Sequence, residues 1–166
     1  TVNSITLQDG SGDAANYSIS AGQTTTANIT SKTLTATASA SNKVYDGNDS
    51  ATTTLTLSGF IGSETLTNTN LSTFNNKNVG TGKSVTVNSI TLSDGTNGGL
   101  AANYSISPGQ TTTANITAKA LTVSGITASN KVYDGNDTAT TTLTLSGFIG
   151  SETLTNTNLS TFDTKN

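Results

Sequence analysis

The residues best placed to do chemistry in this sequence are oxygen donors. Asp46, Asn48 and Asp49 put three side-chain oxygens into one short turn, and Asp134, Asn136 and Asp137 repeat the set. Such oxygens are ligands for a hard cation, and calcium takes roughly six to eight of them. The spacing matches neither an EF-hand loop nor a Gly/Asp-rich β-roll. No cofactor is therefore expected, and calcium is the one candidate. The same stretches contain Asp46-Gly47 and Asp134-Gly135, so a simpler reading stands beside the metal. It is a tight turn with Gly at positive φ, stapled to a strand end by the ring of Tyr45 or Tyr133.

Other chemistry is thinly supplied. Glu64 and Glu152 are the only glutamates and lie 88 residues apart, which leaves no local carboxylate pair for glycoside hydrolysis. Lys43, Lys77 and Lys83 are candidates for a Lys–Asn isopeptide crosslink, with a surface ammonium as the commoner role. Eight N-x-S/T sequons occur, at Asn16, Asn28, Asn48, Asn70, Asn103, Asn115, Asn136 and Asn158, in a chain rich in all three residue types. The chain has no His and no Cys, which excludes a Ser-His-Asp triad, a thiol nucleophile and the usual zinc or haem ligands. All seven basic residues are Lys and the net charge is -3, so the basic footprint of a nucleic-acid binder is missing. No catalytic residue is identified, and the chain is not expected to be an enzyme.

The elements that must position these residues are strands. Thr, Ser and Asn number 37, 21 and 19, nearly half of the chain. Thr loses side-chain freedom in a helix and fits a pleated, half-solvated sheet face. There is one proline, Pro108, and only 10% charged residues, unlike the usual disordered composition. No apolar run approaches the roughly 18 residues of a membrane helix. The class is all-β.

The strands come in tandem. Residues 42–74 recur at 130–162 with one change, Ser50 becoming Thr138, at an offset of 88. Residues 16–30 recur at 103–117 with Ala21 becoming Pro108, and 2–7 recur at 87–92. The offset grows from 85 to 88 through insertions near Thr96–Gly99 and Gly125, which marks exposed turns. A period of about 88 residues is longer than a solenoid repeat and suits a small self-contained domain.

Within a repeat, apolar residues alternate over short runs. Val85 and Val87 alternate, and the phase resumes one residue out of step at Ile90 and Leu92, which places a bulge near Asn88-Ser89. Tyr17 and Ile19 alternate, as do Leu34, Ala36 and Ala38, then Leu55 and Leu57 ahead of Phe60. Six to eight short strands with one apolar face read as a tandem array of Ig-like β-sandwiches. The stretch 79–85 reads as a turn. Residues 111–124 hold no Gly or Pro and keep strand character, spanning roughly 45 Å if extended; 24–38 are nearly identical. The expectation is a continuous strand that joins neighbouring repeats and fixes their angle.

The stretch Lys43-Val44-Tyr45-Asp46-Gly47-Asn48-Asp49 returns at Lys131-Val132-Tyr133-Asp134-Gly135-Asn136-Asp137. With Asn-Tyr-Ser-Ile at 16–19 and 103–106, Gly80-Thr81-Gly82-Lys83 and the closing T-A-N-I-T-x-K, it resembles the YDG-type repeat of large bacterial surface and secreted proteins, including haemagglutinin-like adhesins. The resemblance covers essentially the whole chain. It implies an extracellular β-sandwich stalk or adhesin module with Lys43, Tyr45, Asp46, Gly47, Lys131, Tyr133, Asp134 and Gly135 as structural motif residues, and it implies no catalytic residue.

In that frame residues 1–31 are the C-terminal part of one repeat, 32–118 a complete repeat and 119–166 the N-terminal part of the next. Thr1 falls mid-pattern, so a longer chain carrying any targeting segment is expected. The functional expectation is a structural stalk or fibre module at the bacterial cell surface or outside the cell, a stiff head-to-tail rod serving adhesion, biofilm matrix or filament assembly. Its partners are neighbouring identical repeats or subunits, with strand donation from 1–31 to a neighbour's 119–166 as one form of joining. The alternative is a module that binds surface glycans; neither nucleic acid nor membrane insertion is expected of this segment.

Overall fold

Alternating Thr/Val/Leu runs cut by Asp-Gly and Ser-Gly turns do give strands. The fold, a computed structural model, describes residues 1–164; Lys165 and Asn166, which close the third segment, lie outside the described residues. Contacts divide the chain into two compact units, Thr1–Lys32 and Thr33–Asn166.

The first unit holds a 3-10 turn, Ala14–Asn16, whose first amides are capped by Asp9 and Asp13. Val2 exchanges backbone bonds with the 22–23 turn: its N–H donates to Gln23 O and its carbonyl accepts from Gly22. Val2, Ile5, Leu7, Tyr17, Ile19 and Ile29 are exposed. The strand expected at Tyr17–Ile19 is not formed, because a strand needs a neighbour to take its backbone groups.

The strand β1 (Lys32–Thr33) straddles the boundary between the units. The complete repeat continues with β2 (Thr35–Ala40), β3 (Lys43–Val44), β4 (Ser50–Ala51), β5 (Thr53–Ser58), β6 (Leu66–Phe74), β7 (Gly80–Asp94), a 3-10 turn at Ala101–Asn103, β8 (Tyr104–Ser105) and β9 (Thr111–Thr117). One sheet has the order β3-β9-β7-β6-β4, and β2 pairs separately with β5. Only Ser41-Asn42 separate β2 from β3, and only Thr52 separates β4 from β5. The pairings therefore close into a circuit that leaves few bare edges. All are antiparallel except β3–β9, which is parallel.

Burial follows the alternation. Val85 and Val87 are fully buried, and Phe74, Ala114 and Ile116 pack with Val85, bordered by Ala40, Tyr45 and Ala51. Full burial of a Val, Ile or Phe side chain contributes about 1.5–3 kcal/mol, and the cluster is small. The expected bulge is present: Leu71 faces Ser89 while Ser72 faces Val87, leaving Asn88 as the extra residue.

Two expectations need correction. The stretch 79–85 is no separate turn: Gly80 opens the fifteen-residue β7, and the irregularity shrinks to a register shift between Gly80 and Lys83. There Gly82 sits at φ 59° and donates its N–H to Asn115 Oδ1. The junction strand is also broken. β9 ends at Thr117 and the next strand, β10 (Thr122–Ala128), starts five residues later. In the preceding copy Leu34 N–H donates to Ser105 O. Residues 118–121 have no β8-like strand paired beside them, so their backbone groups form no ladder.

The partial repeat keeps its local pairing. β10 pairs with β12 (Thr141–Ser146), and β11 (Thr138–Ala139) with β13 (Ser160–Thr161); the registers follow β2–β5 and β4–β6, except that a register shift between Ser124 and Thr127 takes up the inserted Gly125. Among the described residues there is no α-helix.

Candidate functional site: the Lys-Tyr-Asp-Gly loop

The loop between β3 and β4 is organised by a lysine. Lys43 Nζ lies 2.8 Å from Asp46 Oδ1. It donates to the Asn48 carbonyl at 2.9 Å, to Asn48 Oδ1 at 3.0 Å and to the Ser50 carbonyl at 3.0 Å. The same ammonium stands 5.7 Å from the centre of the Phe74 ring, within reach of a cation–π attraction. Asp46 Oδ1 accepts the Asn48 N–H, and Asn48 Oδ1 accepts the Ser50 N–H, the local bonds for which Asx residues are favoured in turns. Hydrogen bonding from Lys43 holds the Asp46 carboxyl below its ordinary value. The second copy repeats the arrangement around Lys131, with Asp134 Oδ1 at 2.8 Å, Asn136 O at 2.9 Å and Asn136 Oδ1 at 2.8 Å, and Lys131 likewise lowers Asp134.

This geometry places every residue of the calcium candidate set. The oxygens of Asp46 and Asn48, and of Asp134 and Asn136, converge on an internal ammonium. Asp49 and Asp137 contribute through the backbone, each carbonyl accepting from a Phe N–H at 2.7 Å, Phe74 and Phe162 respectively. Among the described residues no three His, Cys, Asp or Glu side chains converge as a metal site would require. Of the crosslink candidates, Lys43 and Lys83 each donate to an Asn oxygen, Asn48 and Asn76, and Lys77 faces Glu152.

The other two residues of the loop point out of their own repeat. Tyr45 ties its N–H to Thr117 O and donates its hydroxyl to Glu152 Oε1 at 2.5 Å. That bond keeps the Tyr45 proton on, raising its pKa above the ordinary value. Lys77 adds a charge 3.7 Å from the same carboxylate. Gly47 sits at φ 84°, and a Cβ there would lie 2.8 Å from Ile149 Cγ2. Only glycine meets both conditions without strain. Tyr45 and Gly47 thus form a joint with residues 149–152 of the following repeat.

The equivalent of Glu152 in the complete repeat is Glu64, and its partner is different. Tyr104 donates its hydroxyl to Glu64 Oε2 and accepts the Ile61 N–H at 3.1 Å. Its ring meets Phe60 edge to face at 5.5 Å, and the Glu64 bond raises its pKa. Glu64, Glu152 and Tyr104 escaped assignment by sequence because partners 40 and 107 residues apart have no local signature.

The YDG domain matches residues 30–114 and again 117–166. The chain belongs to the YDG domain family. No curated protein and no solved structure matches it. In both copies of the motif the aspartate holds the loop lysine; Tyr45 and Gly47 of the first copy reach the following one, while Tyr133 is exposed and Gly135 has open space around it.

Proposed function

We propose that this YDG-domain chain is a structural module of a giant extracellular bacterial protein, in which Ig-like β-sandwich repeats stand head to tail as a stalk or fibre for adhesion, matrix or filament assembly. The observation that carries the reading is the joint: Tyr45 and Gly47 of one repeat engage Glu152 and Ile149 of the next. A motif that spends its side chains on the following copy serves length rather than catalysis.

The mechanism is mechanical. The complete repeat closes its own circuit of strand pairing, and the Tyr45–Glu152 bond, flanked by Lys77, limits bending where the strand is interrupted at 118–121. Low charge and Thr-rich faces keep the module soluble without a specific ligand. The module takes no cofactor, its partners are further copies of itself, and its place is the cell surface or the medium. The complete repeat offers no free aromatic platform for a glycan: Tyr45 and Tyr104 are hydrogen-bonded, and Phe60 and Phe74 pack on Tyr104 and in the core.

Antibodies raised against the chain test the location. Immunogold labelling is expected to decorate unpermeabilised cells in lines or tufts; label that appears only after permeabilisation overturns the reading.

A further inference from the structure

We propose that the parallel pair β3–β9 is a tension-bearing clamp: pulling the complete repeat by its two ends loads these strands in shear, and the bonds between them set the force at which the repeat opens. The inference rests on the stalk reading for the source of the tension. It goes beyond that reading by naming the bonds that carry the load.

The strands nearest the two ends of the complete repeat lie side by side. From Thr33 the chain runs through β2 into β3 with only Ser41-Asn42 between them, and it leaves the repeat from β9 at Thr117. β3 pairs with β9 in parallel, Lys43 opposite Ile116 and Val44 opposite Thr117. Parallel direction sets the point of entry and the point of exit at opposite ends of the pair. Tension that draws Thr33 backward and Thr117 forward therefore slides β3 along β9. The bonds of a parallel pair are evenly spaced along it, so sliding strains them together. Strands drawn apart from one end give way one bond after another.

Side chains reinforce this short ladder. Tyr45 N–H donates to Thr117 O at 2.8 Å. Asn115 N–H donates to Asn42 Oδ1 at 2.7 Å, and the Thr117 hydroxyl donates to the Lys43 carbonyl at 3.4 Å. Both strands are anchored on their far sides. Ile116, 1% exposed, packs with Phe74, Val85 and Ala114, and β9 pairs along its other edge with β7. Lys43 Nζ binds the carbonyls of Asn48 and Ser50 and so ties β3 to the start of β4. The motif lysine thereby holds β3 in place while β9 is drawn away from it.

Single-molecule force spectroscopy of the full chain tests the clamp in two pulling directions. With handles at both chain ends, opening of the complete repeat is read from the release of residues 33–117, roughly 280–306 Å of chain at 3.3–3.6 Å per residue, less the folded span. The chain has no cysteine, so S93C gives a unique second handle on exposed Ser93, near the end of β7. β7 runs antiparallel to β9 and ends on the side where Thr33 enters, so this pull peels the sheet from one end. The peeling force is expected to be lower than the end-to-end force. The double variant N42A/T117V, at two exposed positions, is expected to lower the end-to-end force and leave the peeling force unchanged. V87A, which hollows the core away from β9, is expected to lower urea stability more and the end-to-end force less, because forced unfolding follows the unfolding barrier rather than the equilibrium. Equal forces in the two directions overturn the proposal, and so do end-to-end forces that simply track urea stability across the variants. Either failure concerns the clamp alone, and the rod reading stands or falls on microscopy of the native protein.

Discussion

Replacing Gly47 by Ala places a methyl carbon 2.8 Å from Ile149 Cγ2, about an ångström inside the optimal carbon–carbon separation. It also forces a side chain into the left-handed region at φ 84°, which costs about 1–2 kcal/mol. The matched control is internal: Gly135 has φ 83° and nothing within 4 Å of its Cβ. Gly135→Ala therefore meets the backbone term alone, about 1–2 kcal/mol. Gly47→Ala adds an overpacking term of about 1–3 kcal/mol. Should the joint part rather than strain, that term is limited to what the joint contributes, and the difference keeps its sign. Urea unfolding of the two variants reads it directly, and Ile149→Ala in the Gly47→Ala background is expected to recover about 0.5–3 kcal/mol as a coupling energy. Equal destabilisation of the two glycine variants, with no coupling to Ile149, would refute the assignment of Gly47 to the joint.

Other predictions follow from the core and the charges. Ile116→Ala is expected to cost about 2–5 kcal/mol, against less than about 0.5 kcal/mol for Leu159→Ala; Ile116 is 1% and Leu159 99% exposed, and both are read by chemical denaturation. Because Lys43 and Lys131 lower the pKa values of Asp46 and Asp134, their contribution is present above the ordinary 3.8 and lost as pH falls through the folded values. Thermal melts from neutral to acid pH are expected to show this loss, reduced in a Lys43→Met, Lys131→Met chain. Tyr45 and Tyr104 are shifted the other way, so their contribution is present below the ordinary 10.0 and lost as pH rises through the raised values; alkaline melts of Tyr45→Phe and Tyr104→Phe test it. Calcium at millimolar concentration is expected to leave the melting temperature unchanged, and intact-mass spectrometry to show no loss of ammonia from a Lys–Asn crosslink.

What the sequence made legible were features set by near neighbours. The bulge at Asn88 follows from the phase slip between Val87 and Ile90, and the tight turn from Asp46-Gly47. Val85 and Val87 announce the core through alternation. Relations between distant segments were hidden. The parallel β3–β9 pair joins residues over seventy positions apart, and Tyr45–Glu152 spans 107; no local pattern encodes either. Gly80-Thr81-Gly82 read as a turn because glycine favours one, yet the Asn115 side chain accepts the Gly82 N–H and the strand runs through. The junction read as one strand from composition alone, whereas a ladder also needs a partner beside it. Lys43 was visible as a motif residue, but its four oxygen contacts depend on how the loop folds back over β3.

In the proposed fibre, YDG repeats stack head to tail through the Tyr45–Glu152 joint. Electron microscopy of the native protein tests it most directly. Rods or filaments with an axial repeat of one domain length are expected. Globular particles without an axial repeat would contradict it.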